Sequence, residues 1–279
     1  MPEDFYSAYL QRLEALTVED INAAAKKYMK PDNMYVTVVG NTAEFGERMG
    51  AFGNVAMFTN MGEPEKEMVA AGDMTAEAII ANYLAAIGGA DKAAAIRSAK
   101  VVQEAEIQGT KLNIESIHDE DNSFFVQRTK MMGNTLATVV LEGANGKMVQ
   151  MGQEQALSDE QVEAMKPMSF IIPELHYELL GYTMTVEGIK EVEGEEAYKV
   201  DVMTPTGSKQ TTYYSVATGL KVKMESAENG DMVYRDYEDV EGVKYPMTTI
   251  ANNPMIPVPL EMKIQSIAFN VEIAEADKK

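Results

Sequence analysis

From Lys100 to Phe269 the chain is a succession of short runs with a period of two, separated by turn residues. The runs are Lys100–Gln108, Lys111–His118, Ser123–Met131, Thr135–Leu141, Lys147–Met151, Thr183–Val192, Ala197–Thr204, Lys209–Val216, Leu220–Ser226, Asp231–Val240, Lys244–Ala251 and Leu260–Phe269. Between them lie Gly109, Gly133, Asn145-Gly146, Glu193-Gly194, Thr218-Gly219, Asn229-Gly230 and Glu241-Gly242. Short strands joined by hairpin turns predict one large antiparallel sheet. Tyr198, Val200 and Val202 alternate with Lys199, Asp201 and Met203, and Val222 and Met224 alternate with Lys221, Lys223 and Glu225. One face is therefore expected to be apolar and the other wet. About a dozen strands cannot stay flat, so the sheet is expected to curl or close.

Two helical segments are placed to fill the inside of that curl. Thr75 is a helix cap ahead of an apolar stripe at Ile79, Ile80, Tyr83, Leu84 and Ile87, and Gly88-Gly89 stops the helix. Asp91 to Ile96 adds a short helical turn. Ser158, with Gln161 three residues later, opens a second helix over Ser158–Met165, followed by an apolar stretch interrupted by proline, Met168–Leu180. The fold class is thus α+β: a large curled antiparallel sheet, an incomplete barrel wrapped around helices.

The N-terminal part reads differently. Thr17 with Asp20 forms a capping box, Ile21, Ala24, Ala25 and Tyr28 follow at helical spacing, and Pro31 ends the helix. Met34–Val39 reads as a strand and Phe45–Phe52 as one more short helix. One helix and one strand do not complete a core, so this part reads as the tail of a domain whose remainder lies outside the chain. The expected organisation is residues 1–60 as that fragment, 61–73 as a polar linker carrying Pro64, and 74–279 as the sheet domain. The Met34–Val39 edge is expected to pack on the sheet domain or to pair with a second copy in a homodimer.

Composition narrows the chemistry. Lys+Arg of 24 against Asp+Glu of 44 gives a net charge of −20, which repels nucleic acid and anionic headgroups. There is no cysteine, which removes disulfides, thiol catalysis and cysteine-held metal. No run reaches the roughly 18 apolar residues of a membrane-spanning helix, and the acidic, amphipathic start is unlike a signal peptide.

Two resemblances follow from particular residues. Leu16-Thr17-Val18-Glu19-Asp20, Ala25-Lys26-Lys27-Tyr28, Pro31-Asp32-Asn33 and the run Tyr35 to Gly40 resemble the C-terminal end of an insulinase-like (pitrilysin-type) zinc peptidase subunit, over about residues 5–55. That family's His-x-x-Glu-His signature is missing: His118 is followed by Asp-Glu-Asp and His176 by Tyr-Glu-Leu. No catalytic residue and no metal ligand carries over, and no cofactor is expected in this chain. A peptidase domain in cis or trans is the partner implied, and whether the parent polypeptide is a hydrolase stays open. Residues 74–273, through "MTAEAIIANYLAAIGGADKAAAI", the run of hairpins and the couplet "YYSVATGLKVKMES" and "DYEDVEGVKYPMTT", resemble an outer-membrane lipoprotein-sorting (LolA-like) domain. The resemblance implies a curved, incomplete barrel that shelters acyl chains, in the periplasm or cell envelope.

Candidate site residues are sought on the apolar face. The chain holds 21 methionines, whose flexible thioethers suit surfaces that accept varied apolar ligands and equally fill cores. The residues chosen are Met224, Met247 and the two proline-interrupted stretches Phe170-Ile171-Ile172 and Met255-Ile256, read either as a cavity rim or as a buried crossover. His118-Asp119-Glu120-Asp121 reads as a solvated acidic turn, and His176 as a partly buried, satisfied histidine. The expected function is a non-catalytic envelope module that binds a lipid or lipoprotein acyl chain. The alternative is a docking module that positions substrate or a partner for the peptidase, with no ligand of its own.

Overall fold

The computed structural model describes residues 9–31, 34–40, 45, 48–58, 62, 64, 68–226, 230–252 and 258–278. The chain divides into two units, Met1–Glu65 and Lys66–Lys279.

In the first unit, α1 covers Tyr9–Glu14 and α2 covers Val18–Tyr28. Thr17 caps α2: its hydroxyl oxygen accepts from the Asp20 amide at 3.2 Å, and the Asp20 carboxylate accepts from the Thr17 amide at 3.0 Å. No residue of α2 is buried. The strand expected at Met34–Val39 does not form: residues 34–39 make no ladder among the described residues, and Tyr35 and Val39 are almost fully exposed. A β-branched run becomes a strand only when another backbone pairs with it. Of the expected Phe45–Phe52 helix, the described residues Phe45, Arg48 and Met49 are helical and Gly50–Phe52 continue as a 3-10 turn.

The second unit contains α3 (Ala76–Ala86), α4 (Ala90–Ala94) and α5 (Asp159–Met165). Its thirteen described strands are β1 (Ser98–Ile107), β2 (Thr110–Asp119), β3 (Phe124–Met131), β4 (Asn134–Glu142), β5 (Asn145–Gln150), β6 (Gln153–Ala156), β7 (Thr183–Val192), β8 (Glu195–Met203), β9 (Lys209–Ser215), β10 (Lys221–Ser226), β11 (Gly230–Val240), β12 (Val243–Asn252) and β13 (Leu260–Phe269). All pairings are antiparallel, in the order β6-β5-β4-β3-β2-β1-β13-β12-β11-β10-β9-β8-β7. The ends, β6 and β7, do not meet, so the sheet is open. The β7 edge is partly covered by Val69, which exchanges both backbone hydrogen bonds with Ile189.

Among the described residues, five hairpins turn on a pair of positive-φ residues ending in glycine: Gln108-Gly109, Met132-Gly133, Met151-Gly152, Glu193-Gly194 and Glu241-Gly242. This is the two-residue turn whose twist matches that of the strands. Asn145-Gly146, expected to be a turn, lies inside β5, and the chain reverses one pair earlier at Gly143-Ala144.

One apolar cluster gathers Ile79, Ile80 and Tyr83 of α3 and Ile87 at its C-terminal cap with residues from β1, β8, β9, β12 and β13. From β1 to β8 is six steps across the sheet, about 29 Å if flat at ~4.8 Å a step. A helix is only about 10–12 Å thick, so the sheet must curl around α3. Thr75 starts this helix, accepting from the Ala78 amide at 3.2 Å. Thr75→Ala is expected to lower stability by about 1 kcal/mol; an unchanged urea midpoint would show that the cap contributes nothing.

Candidate functional site

The inner face, the one packed on α3, can be followed by register. Val186, Val200, Thr212, Met224, Met232, Ala251 and Leu260 lie opposite one another along one row across β7 to β13. A second row runs through Tyr198, Tyr214 and Lys221, and a third through Tyr234, Thr249, Met262, Ala105, Leu112 and Met131. Met131 and Met232 pack against Met262, Leu112 and Ile114, while Met247 packs against the α3 cluster. The inner face thus carries Met131, Met184, Met224, Met232, Met247 and Met262.

A lysine also lies on it. The expected alternation puts Lys221 on the wet face beside Lys223 and Glu225. Instead the pairing of β10 with β9 shifts between Lys221 and Lys223, opposing Lys221 to Tyr214 and Lys223 to Tyr213. The irregularity leaves Val222 as the extra residue and re-aims Lys221 inward, while Lys223 stays outside with Glu225 and Asp231. A similar break occurs on β11. Asp236 has φ 55, so Tyr234 and Tyr237, three apart, both reach the inner side: the Tyr234 ring lies 4.8 Å from Lys221 Nζ, and the Tyr237 hydroxyl donates to the Lys221 carbonyl at 2.9 Å.

Residues 166–182 close over this face as a strap of 3-10 turns, at Lys166–Ser169 and Pro173–His176. Its backbone bonds run within its own turns, for example Leu175 to Ile172, Leu180 to His176 and Tyr182 to Tyr177. It is held by side chains. Ile171, Ile172, Tyr177 and Leu180 are buried, the first three in the α3 cluster. Glu174 meets Lys221 at 2.7 Å, with side chains only 1% and 13% exposed. The Tyr214 hydroxyl donates to the same Glu174 oxygen at 3.4 Å, and the other oxygen, Oε2, is buried with no hydrogen-bond partner among the described residues. Burial opposes the Lys221 charge, but the Glu174 carboxylate beside it prevails and raises its pKa. Burial first, and Glu174 second, push the Tyr83 and Tyr214 phenols well above their ordinary range.

The second anchor is Glu120, whose side chain is 5% exposed. It accepts from the Ile171 amide at 3.1 Å, meets Arg97 at 3.2 Å, and lies 3.4 Å from His176. Phe170 stacks on His176 with ring centroids 4.0 Å apart. His118 Nδ1 lies 3.3 Å from the Ser169 carbonyl. The acidic turn is therefore not solvated as expected: His118 and Asp119 are buried with Glu120, and Asp121 alone of the four remains largely exposed. Its carboxylates accept from Arg97, Asn122 and the strap's Ile171 amide.

Burial lowers the His118 pKa to about 4. A base depressed in the folded state stays neutral there while the unfolded chain takes up a proton, so its contribution is full above about pH 6.5 and is lost as pH falls toward 4. Between those limits the wild type is expected to lose about 3 kcal/mol more than His118→Gln, as read from urea unfolding at pH 7 and pH 4. Equal losses would contradict a buried neutral imidazole.

Of the residues chosen from sequence, Phe170 stacks on the strap's histidine, Ile171 and Ile172 are buried under it, and Met224 and Met247 face inward. Met255 and Ile256 lie outside the described residues. Sequence reasoning misses Lys221, Glu174, Glu120 and the tyrosines; an inward lysine has no signal in a period-two pattern when a bulge puts it there. Two cavities flank the strap and helix. One of about 220 Å³ is lined by Glu120, Leu141, Val162 and Phe170, and one of about 300 Å³ by Met74, Ile79, Tyr198 and Tyr214. They sit at or below the low end of ligand pockets.

No protein-family profile matches the chain, and no curated protein does. Several solved structures share its broad outline. A candidate outer membrane lipoprotein-sorting protein domain from Vibrio parahaemolyticus is 12% identical, with 65% of this chain and 88% of that one covered and a TM-score of 0.45. A LolA superfamily protein from Nitrosomonas europaea is 12% identical, with 74% and 98% covered and a TM-score of 0.48. A DUF1329 family protein from Desulfovibrio piger is 10% identical, with 73% and 96% covered and a TM-score of 0.48. At these identities and scores the likeness assigns no function, which rests on the chain's own residues.

Proposed function

We propose that residues 66–279 form a binding module that takes a hydrophobic chain, such as a lipid or lipoprotein acyl chain, against the inner face of the sheet in place of the strap. The observation that carries this reading is how that face is covered. An open sheet lined with inward methionines is closed by an eleven-residue helix and by a strap whose backbone–backbone bonds run within its own turns. Lifting the strap separates side chains but breaks no strand ladder, and it uncovers a deformable apolar surface. Each methylene buried there contributes roughly 0.8 kcal/mol, so a long acyl chain can offset the cost of unseating the strap. A role in the cell envelope accords with this reading and with the sequence resemblance.

The test is titration of the purified chain with a fluorescent fatty-acyl probe, followed by displacement with unlabelled long-chain lipid. Saturable binding that long chains displace is the expected result. Absence of saturable binding, with native mass spectrometry showing no retained lipid, would overturn the reading.

A further inference from the structure

We infer that the ligand of the inner face is an amphiphile with an anionic carboxylate head, and that Lys221 is the residue that receives it. The inference rests on the binding reading above and goes further by naming the ligand's chemistry. The inside of an apolar sheet is a costly place for an ammonium group, which persists there only when paired. Lys221 has its pair, but Glu174 is supplied by the strap and not by the sheet. Any occupant that displaces the strap takes that carboxylate away. A neutral occupant would leave Lys221 buried and unpaired between the Tyr83 and Tyr234 rings, 5.6 and 4.8 Å from its Nζ. An occupant bearing a carboxylate restores the pair and the hydrogen bond from Tyr214.

Glu174 on the closed strap thus occupies the place of the ligand's own head. It does so incompletely, since Oε2 is buried with no hydrogen-bond partner among the described residues, and a half-satisfied group is the easier one to replace. The tail has a path. Met224 lies three residues along β10 from Lys221, its Sδ 3.8 Å from the Tyr234 hydroxyl, and Met232 and Met262 follow across the sheet. The overall charge of −20 repels an anion at long range, so the preference is set by this one lysine at short range.

The experiment compares hexadecanoic acid with 1-hexadecanol, which share a chain length and differ in the head, as competitors for the acyl probe at pH 8. Wild-type protein is expected to bind the acid about 10- to 100-fold more tightly, the range of a charge-assisted hydrogen bond. The double variant Glu174→Gln/Lys221→Met removes both buried charges, leaves neither unpaired, and is expected to bring the two ligands within about twofold. Equal affinity of acid and alcohol for wild type would overturn the carboxylate inference and leave the binding reading standing. Failure of both to bind would overturn the two together. The wild-type comparison needs no variant to fold, and a preference that persists in a folded double variant would remove Lys221 from the account.

Discussion

Glu174→Ala lowers the free energy of unfolding by about 3–5 kcal/mol, because it strands the Lys221 ammonium in a buried, tyrosine-lined site. Most of that loss belongs to the unpaired charge and not to the removed contact. The double replacement Glu174→Leu/Lys221→Met is therefore expected to recover most of it, since apolar groups of similar volume substitute for a buried pair at little cost. The pH dependence of the single variant gives a further check. Without Glu174, burial depresses the Lys221 pKa below its unfolded value of about 10.4. The variant's deficit then shrinks as pH rises toward that value, where the unfolded lysine also loses its proton. Urea unfolding of the wild type and both variants reads all three effects. A single-variant loss under about 1 kcal/mol, the level of an exposed ion pair, would mean that the strap is not seated on Lys221.

Gly88→Ala is the second large effect, at about 3–5 kcal/mol from two sources. Gly88 has φ 125, a conformation that strains any residue with a Cβ. A Cβ placed there would also lie 2.4 Å from the Gly242 carbonyl oxygen, on the turn between β11 and β12. The contact cannot simply relax, because the end of α3 is fixed on both sides. The Gly88 and Gly89 amides return to Ala85 and Leu84, and the Ile87 carbonyl accepts from the Lys244 amide at 2.7 Å. The helix that fills the curl is thus docked by backbone at its C-terminal end. A melting midpoint within about 2 °C of wild type, no more than the shift that about 1 kcal/mol gives a domain of 150–250 residues, would show that this approach is looser than described.

The strand pattern is legible wherever alternation and a turn signal coincide, and the caps at Thr17, Thr75 and Ser158 follow from side chains that bond where expected. What escapes does so for identifiable reasons. Strand β6, Gln153–Ala156, is entirely exposed and carries no apolar alternation. Asn145-Gly146 is a strong turn pair, but a Cβ on Gly146 would lie 2.9–3.0 Å from Leu141, Leu157 and Val162, so the position needs a residue without a side chain. Met34–Val39 has strand composition and no partner strand among the described residues. The candidate site is half visible. The apolar face and Met224 follow from periodicity, Met247 from the abundance of methionine, and the strap's Ile171 and Ile172 from an apolar stretch interrupted by proline. Lys221 and Tyr237 face inward only because a bulge and one left-handed residue interrupt that periodicity. Glu120 and Glu174 come from turns, and their partners are 23 and 47 residues away in the chain.

The most direct test of the account is hydrogen exchange of the strap amides, with and without saturating hexadecanoic acid. The Ile171 amide, which donates to Glu120, and the turn amides of Leu175, Leu180 and Tyr182 report whether the strap is seated. If the ligand takes the strap's place, these amides exchange faster in the complex while those of β1 and β13 do not, the reverse of the general protection that binding confers. Binding that leaves the strap amides unchanged or more protected would show that the ligand goes elsewhere, and would contradict the central claim.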